Sequence, residues 1–428
     1  MSLSYFWIFV LLLTAGAPVV FALLVGPGLS LMIDGNEVFF SALLNRLYSG
    51  MNSFPLMAVP FFILAGELMN QGGITQSIVR FSQTLIGHFR GGLAQVNILS
   101  SVLFAGLSGS AVADTSALGK MLIPAMEQNG YSRRFAAAVT AASSVIGPII
   151  PPSGIMILYA FIMNVSVAGM FLAGIVPGLL ICAGLMIVTS RIAKKRNYPV
   201  ANSKASWSER GAAFKLSFLP LLTPVILLGG ILLGVFTPTE AAAVAAGYAL
   251  IITLFVTKTL STNKLPRIFV NAAVQSGTIL LLVGAAVTFA WIITVSGMAD
   301  LLAGEISQLT ENVLLLLLVI NLFLFAIGMF LDAGPAILIL GPVLAPIFIS
   351  LGIDPLHFAV IMCVNLTVGL ATPPMGLVLF VAASVSGEKT ENIAYEMLPF
   401  LAVEAFVIIL ITYFPALTMT LPRLFGYA

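Results

Sequence analysis

The chain has 428 residues, of which 60% are hydrophobic and 8% are charged. Soluble domains carry roughly 25% charged residues, so this composition excludes a soluble fold. The net charge of +2 gives no reason to expect a nucleic-acid partner. Continuous apolar runs of roughly 20 residues, enough to cross a lipid bilayer as a helix, recur throughout. The sequence therefore predicts an all-α polytopic membrane protein rather than a β-barrel, whose strands alternate apolar and polar residues.

Lys and Arg in short loops mark the cytoplasmic side of a membrane protein. Four groups of them are therefore predicted to be cytoplasmic: Arg80–Arg90, Arg133/Arg134, Arg191–Lys215 and Lys258–Arg267. Nine predicted spans alternate around these groups without conflict: Tyr5–Val25, Phe54–Met69, Phe135–Asn164, Val165–Ser190, Leu216–Phe236, Glu240–Thr257, Ser276–Met298, Phe358–Ser386 and Pro399–Met419. This arrangement places the N-terminus inside and the C-terminus outside.

Two further segments, Leu93–Glu127 and Val313–Ser350, each begin and end on one side of the membrane. Charge bias alone allows either a pair of full spans or a re-entrant hairpin. The centre of the first segment, GLSGSAVADTSALGK, is polar and rich in glycine, and irregular polar backbone at mid-membrane depth is tolerated only inside protein or beside a wet cavity. We therefore predict two re-entrant hairpins, the first open to the cytoplasm and the second to the outside.

The sequence contains two related copies of one unit. The stretch VIGPIIPPSG begins at Val145 and TVGLATPPMG begins at Thr367, and a shift of 222 residues relates them, since Gly147 plus 222 is Gly369. The same shift relates Pro124 to Pro346 in the hairpins. Because the hairpins open to opposite sides, the copies are inverted, and inverted repeats with spans broken by Gly and Pro are typical of secondary transporters.

This repeat divides the chain into seven segments. The predicted transport elements, each a hairpin with a broken helix, are 93–164 and 313–386. Segments 1–92 and 237–312 are each predicted to hold scaffold spans with an interfacial arm. Segment 165–215 is predicted to be a scaffold span with a basic cytoplasmic loop. A linking span, 216–236, and the last span, 387–428, complete the chain. In the first arm Ile74, Ile78, Phe81 and Leu85 share one helical face, which predicts an amphipathic interfacial helix, and LLAGEISQLTEN, 301–312, is its weaker counterpart.

The two Gly/Pro breaks have a physical use. Proline removes a backbone donor and stops a helix, so a helix broken at mid-membrane presents free carbonyls from its first half and free amides from its second. Carbonyl oxygens suit Na⁺, whereas amides and the positive end of a helix dipole suit an anion. Two breaks that face two polar hairpin tips predict two cation sites beside one anion site.

The residues of these sites follow from the tips and the breaks. The first predicted Na⁺ site comprises Ser108, Ser110, Asp114, Thr115, Gly147 and Pro151. The second comprises Asp332, Gly334, Gly369, Thr372 and Pro373. The predicted substrate residues are Ser110, Ser116, Ser153, Asp332 and Thr372.

Each of these residues also has a structural interpretation. A carboxylate at the centre of a membrane helix is costly and usually has a function or a partner, but Asp114 and Asp332 can also cap the helix that follows each tip. The small hydroxyl residues can simply pack helices together. Glu67 and Glu240 lie at or near the ends of predicted spans, where an interfacial or paired role is expected.

The stretches GLSGSAVADTSALGKMLIPAM, RRFAAAVTAASSVIGPIIPPS and GLATPPMG resemble the large membrane subunit of TRAP (tripartite ATP-independent periplasmic) transporters over essentially the whole chain. The resemblance implies Na⁺-driven import of a carboxylate, such as a C4-dicarboxylate or sialic acid, by an elevator mechanism in the bacterial inner membrane. It also implies a periplasmic substrate-binding protein and a small four-helix membrane subunit. Because no stretch resembles that subunit, we expect it to be a separate chain.

Two alternatives remain open at this point. A carrier of the same architecture can work without a binding protein. The stretch GLSG at Gly106–Gly109 also matches the surroundings of the nucleophile in rhomboid-type intramembrane proteases. A serine nucleophile needs a base within reach, however, and His88 and His357 are both predicted near membrane interfaces, so we do not expect an enzyme.

Overall fold

The computed structural model describes residues 4–199, 204–298, 301 and 312–427, and the regular elements in these ranges are helical. The first half contains α1 (Ser4–Thr14), α2 (Val19–Ile33), α3 (Phe40–Met51), α4 (Ala58–Gln71), α5 (Ile74–Ile86), α6 (Gly92–Ser108), α7 (Ala111–Gln128), α8 (Arg133–Ser144), α9 (Gly154–Met163) and α10 (Val167–Lys195). The second half contains α11 (Trp207–Leu232), α12 (Pro238–Ile251), α13 (Leu265–Ser296), α14 (Val313–Gly328), α15 (Ala333–Ser350), α16 (Pro355–Gly369), α17 (Leu377–Ser386), α18 (Thr390–Tyr413) and α19 (Ala416–Leu424). Seven helical segments in the described ranges are long and apolar enough to cross a membrane.

The prediction of one continuous span over Tyr5–Val25 is wrong. Helix α1 ends at Thr14, α2 begins at Val19, and the two helices pack against each other. The turn between them contains Gly16, whose φ of +84° lies in the left-handed region that only glycine adopts readily. The chain therefore turns back after α1, and the apolar run supplies two short helices. It no longer supports the predicted placement of the N-terminus on the inside.

Other boundaries shift because hydropathy marks the membrane part of a helix and not its ends. Helices α11 and α13 begin ahead of the predicted Leu216 and Ser276. The predicted span Pro399–Met419 is interrupted, because α18 ends at Tyr413, two residues before Pro415. Helix α3, which packs on α13, was not predicted.

The predicted amphipathic arm is confirmed as a helix. In α5, Ile74 and Ile78 are buried, and Phe81 and Leu85 are half-buried. The helix packs on α6 and α11. Most of its predicted counterpart, residues 302–311, lies outside the described residues.

Both hairpins and both broken helices are confirmed, and the shift of 222 residues relates them in three dimensions. Helices α6 and α7 form the first hairpin, with Gly109 and Ser110 at its tip, and α14 and α15 form the second. The break between α8 and α9 matches the break between α16 and α17, and both contain a cis Pro-Pro bond, Pro151–Pro152 and Pro373–Pro374. The all-α inverted-repeat architecture therefore follows the sequence repeat.

The two copies interlock in a central group of helices. Helix α7 of the first hairpin packs on α17 of the second copy, and α15 of the second hairpin packs on α9 of the first. Helices α10 and α18 pack on each other and on these elements. A second group, formed by α2, α3, α4, α11, α12 and α13, contacts the central group mainly where α4 meets α6 and α13 meets α15.

Buried polar pairs join each hairpin to its broken helix. In the first copy, Asn97 Nδ2 of α6 donates to Thr140 Oγ1 of α8 at 2.6 Å. In the second copy, Asn365 Nδ2 of α16 donates to Asn321 Oδ1 of α14 at 2.7 Å. Because a buried amide that loses its partner costs about 1–3 kcal/mol, these pairs hold each hairpin against its broken helix.

Ion pairs join the helix ends on the predicted cytoplasmic side. Glu396, near the start of α18, accepts from Arg134 at 3.3 Å and from Arg196 at 2.7 Å. Burial opposes the charged form of Arg196, but its hydrogen bonds to Glu396 and Tyr198 outweigh that effect and raise the pKa of the guanidinium. The beginnings of α8 and α18 and the end of α10 therefore lie on one face, as the charge pattern predicts.

Candidate functional site

The first hairpin tip lies directly against the first helix break. Gly109, with a φ of +59°, makes the turn between α6 and α7, and a Cβ atom on it would lie only 3.0 Å from the carbonyl oxygen of Pro152. Ser110 caps α7 by accepting from the amide of Ala113. A residue larger than glycine at the turn would separate the tip from the break.

Asp114 lies behind this tip and is fully buried. Ser108 Oγ donates to Asp114 Oδ1, whereas Asp114 Oδ2 has no hydrogen-bond partner among the described residues. The unpartnered oxygen faces the first break so closely that a methyl group on Gly147 would overlap it. The interpretation of Asp114 as the helix cap is wrong, because Ser110 occupies the cap position.

The second tip is built around Asp332. This residue caps α15, and its Oδ1 accepts from the amide of Ala333 at 2.7 Å. Unlike Asp114, it is exposed to the cavity described below. Behind it, Gly328 of α14 and Gly369 of the second break are in contact, and a side chain on either would overlap the other.

Both tips open into one cavity of about 590 Å³. The tips contribute Ser108, Ser110, Asp332 and Gly334, and the rest of the lining comes mainly from α4, α9, α11 and α13. Among the described residues that line it, the charged ones are Glu67 and Asp332, and there is no Lys, Arg or His. The described lining of the cavity therefore carries negative and no positive side-chain charge.

The structure places the other predicted site residues around this cavity but not in its lining. Ser153 donates to the carbonyl of Pro148 and caps α9, and Thr115 Oγ1 and Thr372 Oγ1 donate to carbonyls one turn earlier in the chain, at 2.8 and 2.9 Å. Ser116 is half-buried on α7. The hydroxyl oxygens of Thr115, Ser153 and Thr372 use their hydrogen in these bonds but keep lone pairs that can accept a hydrogen bond or coordinate a cation.

The cavity wall formed by α4 and α13 was not predicted from the sequence. Glu67, predicted to be interfacial or paired, lines the cavity and accepts from Gln71 at 3.3 Å. Asn70, Gln275 and Thr278 line it as well. An ionisable residue inside an apolar span is by itself a signal of function, and Glu67 lies within the predicted span Phe54–Met69. Glu240, by contrast, is part of a capping box with Thr237 at the start of α12.

An inverted repeat with two hairpins, two broken helices and a central cavity between them defines a secondary transporter. The model of the family described as "Tripartite ATP-independent periplasmic transporter, DctM component" matches residues 6–417. The chain belongs to this family, the large permease subunits of TRAP transporters.

Three known proteins illustrate the likeness. The sialic acid TRAP transporter large permease protein SiaM of Vibrio cholerae is 41% identical over 417 residues, covering 97% of each chain. The C4-dicarboxylate TRAP transporter large permease protein DctM of Rhodobacter capsulatus is 33% identical over 439 residues, covering 99% of each. The solved structure of the YdaH transporter of Alcanivorax borkumensis shares the fold, with a TM-score of 0.66 at 18% identity over 90% of this chain and 89% of that one.

The geometry gives no support to a serine protease. Ser108 donates to Asp114 and not to an imidazole. The ring of His357 is buried between α16, α18 and α19, where its nitrogens pair with Thr418 Oγ1 at 2.8 Å and with the carbonyl of Thr412 at 3.3 Å. The relatives are permeases and not enzymes.

Proposed function

We propose that this chain is the permease subunit of a secondary transporter that imports a carboxylate together with Na⁺ across the bacterial inner membrane. The observation that carries this proposal is Asp114, a buried carboxyl with one unpartnered oxygen facing Gly147. A buried charge is stable only when it is paired or binds a cation. Carboxylate, hydroxyl and carbonyl oxygens are hard ligands that fit Na⁺ and do not favour a soft metal.

The first Na⁺ site is proposed to use the side chains of Ser108 and Asp114, with carbonyls near Gly147 and Pro151 and further oxygen atoms from Ser110 and Thr115. The second is proposed to use Asp332 and Gly334 at the tip and Gly369, Thr372 and Pro373 at the break. Ser110, Ser116, Ser153, Asp332 and Thr372 stay predictions as substrate residues.

The charge of the cavity supports coupling between Na⁺ and the substrate. A carboxylate that enters a space lined by Glu67 and Asp332, without a basic side chain, meets repulsion. Cations bound at the tips offset that repulsion. Because coupling between two ligands is reciprocal, each ion then raises the affinity of the protein for the other.

The packing supports an elevator movement. The hairpins and broken helices interlock across the copies, whereas their contacts with α4 and α13 are fewer and local. We propose that the central group, including α10 and α18, moves as one body against α4 and α11–α13. This grouping would place α10 and α18 with the transport elements, whereas 165–215 was predicted to be scaffold and 387–428 was predicted only as the last span.

The family description names a three-part periplasmic system. This supports two partners, a periplasmic binding protein that delivers the substrate and a small four-helix membrane subunit. The relatives named for sialic acid and for C4-dicarboxylates support a carboxylate as the substrate.

Uptake into vesicles that contain the chain and both partners tests the proposal. Radiolabelled sialic acid and succinate serve as probes. We expect uptake of one of them under an inward Na⁺ gradient and none when K⁺ replaces Na⁺. Uptake driven equally well by a proton gradient without Na⁺ would contradict the proposal, and Na⁺-driven uptake without the binding protein would select a carrier that needs no delivery.

A further inference from the structure

We propose that the cavity selects polyhydroxy monocarboxylates, the chemical class of sugar acids, and that Glu67 is the residue that rejects a second carboxylate. The inference rests on the proposed function, because it takes the cavity as the site of the transported anion. It goes further by choosing between carboxylates with one charge and those with two.

Glu67 lies level with the first hairpin tip. The residue before it, Gly66, touches that tip, and a Cβ atom on Gly66 would lie 3.1 Å from the carbonyl oxygen of Leu107 and 3.6 Å from Cα of Ser108. Glu67 and Ser108 both line the cavity. A small molecule held at the tip is therefore within reach of the α4 wall.

Among the described residues, no basic side chain pairs with Glu67. Its Oε1 accepts from Gln71 at 3.3 Å. An ionised carboxylate is an acceptor only. It therefore attracts a hydroxyl group of a ligand and repels a second carboxylate.

The neighbours of Glu67 on this wall fit a hydroxylated chain. Asn70, Gln275 and Thr278 combine amide and hydroxyl groups that both donate and accept. The volume of about 590 Å³ lies in the range of sites that enclose small organic ligands. A ligand with one carboxylate at the tips and several hydroxyls along α4 and α13 would satisfy both walls.

The distribution of charge then sets the preference. The first carboxylate of a ligand is offset by the cations proposed at the tips. A second carboxylate at the far end would meet Glu67, with no Lys or Arg in the described lining to offset it. Like charges a few ångströms apart in such a site lower affinity by at least about tenfold.

The test uses two ligands that differ only in one terminal group, which carries the second charge in one of them. D-Gluconate and D-glucarate share six carbons and four hydroxylated positions, and glucarate has a carboxylate where gluconate has a terminal hydroxymethyl group. Binding to the chain and its small subunit in nanodiscs is measured by calorimetry in Na⁺ and in K⁺. We expect gluconate to bind at least about tenfold more tightly than glucarate in Na⁺.

Variants assign the preference to Glu67. Glu67→Gln should reduce the ratio to about threefold or less, and Asn70→Asp, which adds a charge to the same wall, should increase it. Glu388→Gln is the matched control, because Glu388 also accepts from an amide four residues later, Asn392, at 3.5 Å, but lies outside the cavity lining. It should leave the ratio unchanged.

The outcomes separate this inference from the proposed function. Equal or tighter binding of glucarate in Na⁺, binding of neither ligand, or the same ratio in the wild type and in both α4 variants overturns the inference. If binding needs Na⁺ but favours glucarate, only the inference fails. If gluconate is preferred equally in K⁺, the selectivity of the wall stands and the Na⁺ coupling fails.

Discussion

Asp114 shows how far the sequence determines the role of a single residue. Its depth and its position near a polar tip were predicted, but two interpretations remained open, a cap and an ion ligand. The choice depends on the residue at which α7 begins. If the helix began a few residues later, Asp114 would be its cap, whereas with the observed start it lies inside the first turn. The structure makes Ser110 the cap and turns Asp114 toward Gly147.

Asp332 allows a direct test at this scale. Asp332→Asn keeps the shape of the side chain and an oxygen that can accept from Ala333, and Asn and Asp rank alike as helix caps. It removes the charge, so if Asp332 binds Na⁺, uptake should fall at least about tenfold or require several-fold more Na⁺.

The control for this variant is Asp354→Asn. Asp354 caps α16 by accepting from the amides of Leu356 and His357, at 2.8 and 3.3 Å, and it does not line the cavity. Uptake is measured over a range of Na⁺ concentrations, with expression and melting temperature checked for each variant. An unchanged Na⁺ dependence in Asp332→Asn would leave the residue as a cap and reject the site role.

Glu67 was not recognised because it has no counterpart in the repeat. The shift of 222 residues maps it to Phe289, so the comparison of copies that revealed the tips carries no signal here. Its role depends on which face of α4 meets the central group. That face is fixed by the contact of Gly66 with the first tip, which only the folded chain shows.

At the scale of elements, the hairpins and breaks were predictable because glycine, proline and polar residues at membrane depth are difficult to place in a continuous membrane helix. Helix ends were less predictable, as α1 and α2 show, because an apolar run of the right length does not reveal that Gly16 reverses the chain. The pairs Asn97–Thr140 and Asn365–Asn321 were also missed. A lone amide in an apolar run does not reveal its partner.

The predicted orientation of the hairpins can be tested by labelling. Asn129, after α7, and Ser350, at the end of α15, are both exposed at the open ends of the two hairpins. In a chain without its two native cysteines, Asn129→Cys should react with an impermeant maleimide only from the cytoplasmic side and Ser350→Cys only from the outside. The native cysteines are buried, so their replacement is not expected to open either face.

Reaction of both positions from one side would contradict the inverted arrangement of the repeats. Reaction of each from the opposite side to that expected would keep the inversion and reverse the assigned topology. Glu388→Cys, at a half-buried position between α17 and α18 on the predicted cytoplasmic side, is labelled in parallel as a reference for that face.

At the scale of the whole molecule, the inverted repeat and the membrane class follow from the sequence, whereas the mutual packing of the copies does not. The packing of α7 on α17 and of α9 on α15 joins segments that are far apart in the chain. It depends on the shapes of surfaces whose apolar compositions are similar. This interlock brings both tips to one cavity. It therefore places the two proposed ion sites and the proposed substrate site around one cavity, where they can act together.

The most direct measurement for the central claim is the ratio of the two fluxes. Radioactive Na⁺ and a ¹⁴C-labelled carboxylate are followed simultaneously into vesicles that contain the complete complex, with and without an inside-negative membrane potential. Two ion sites beside one anion site predict two or more Na⁺ for each carboxylate, and faster uptake with the negative potential when net positive charge enters. Carboxylate uptake with no accompanying Na⁺, or with the same rate in its absence, would contradict the account.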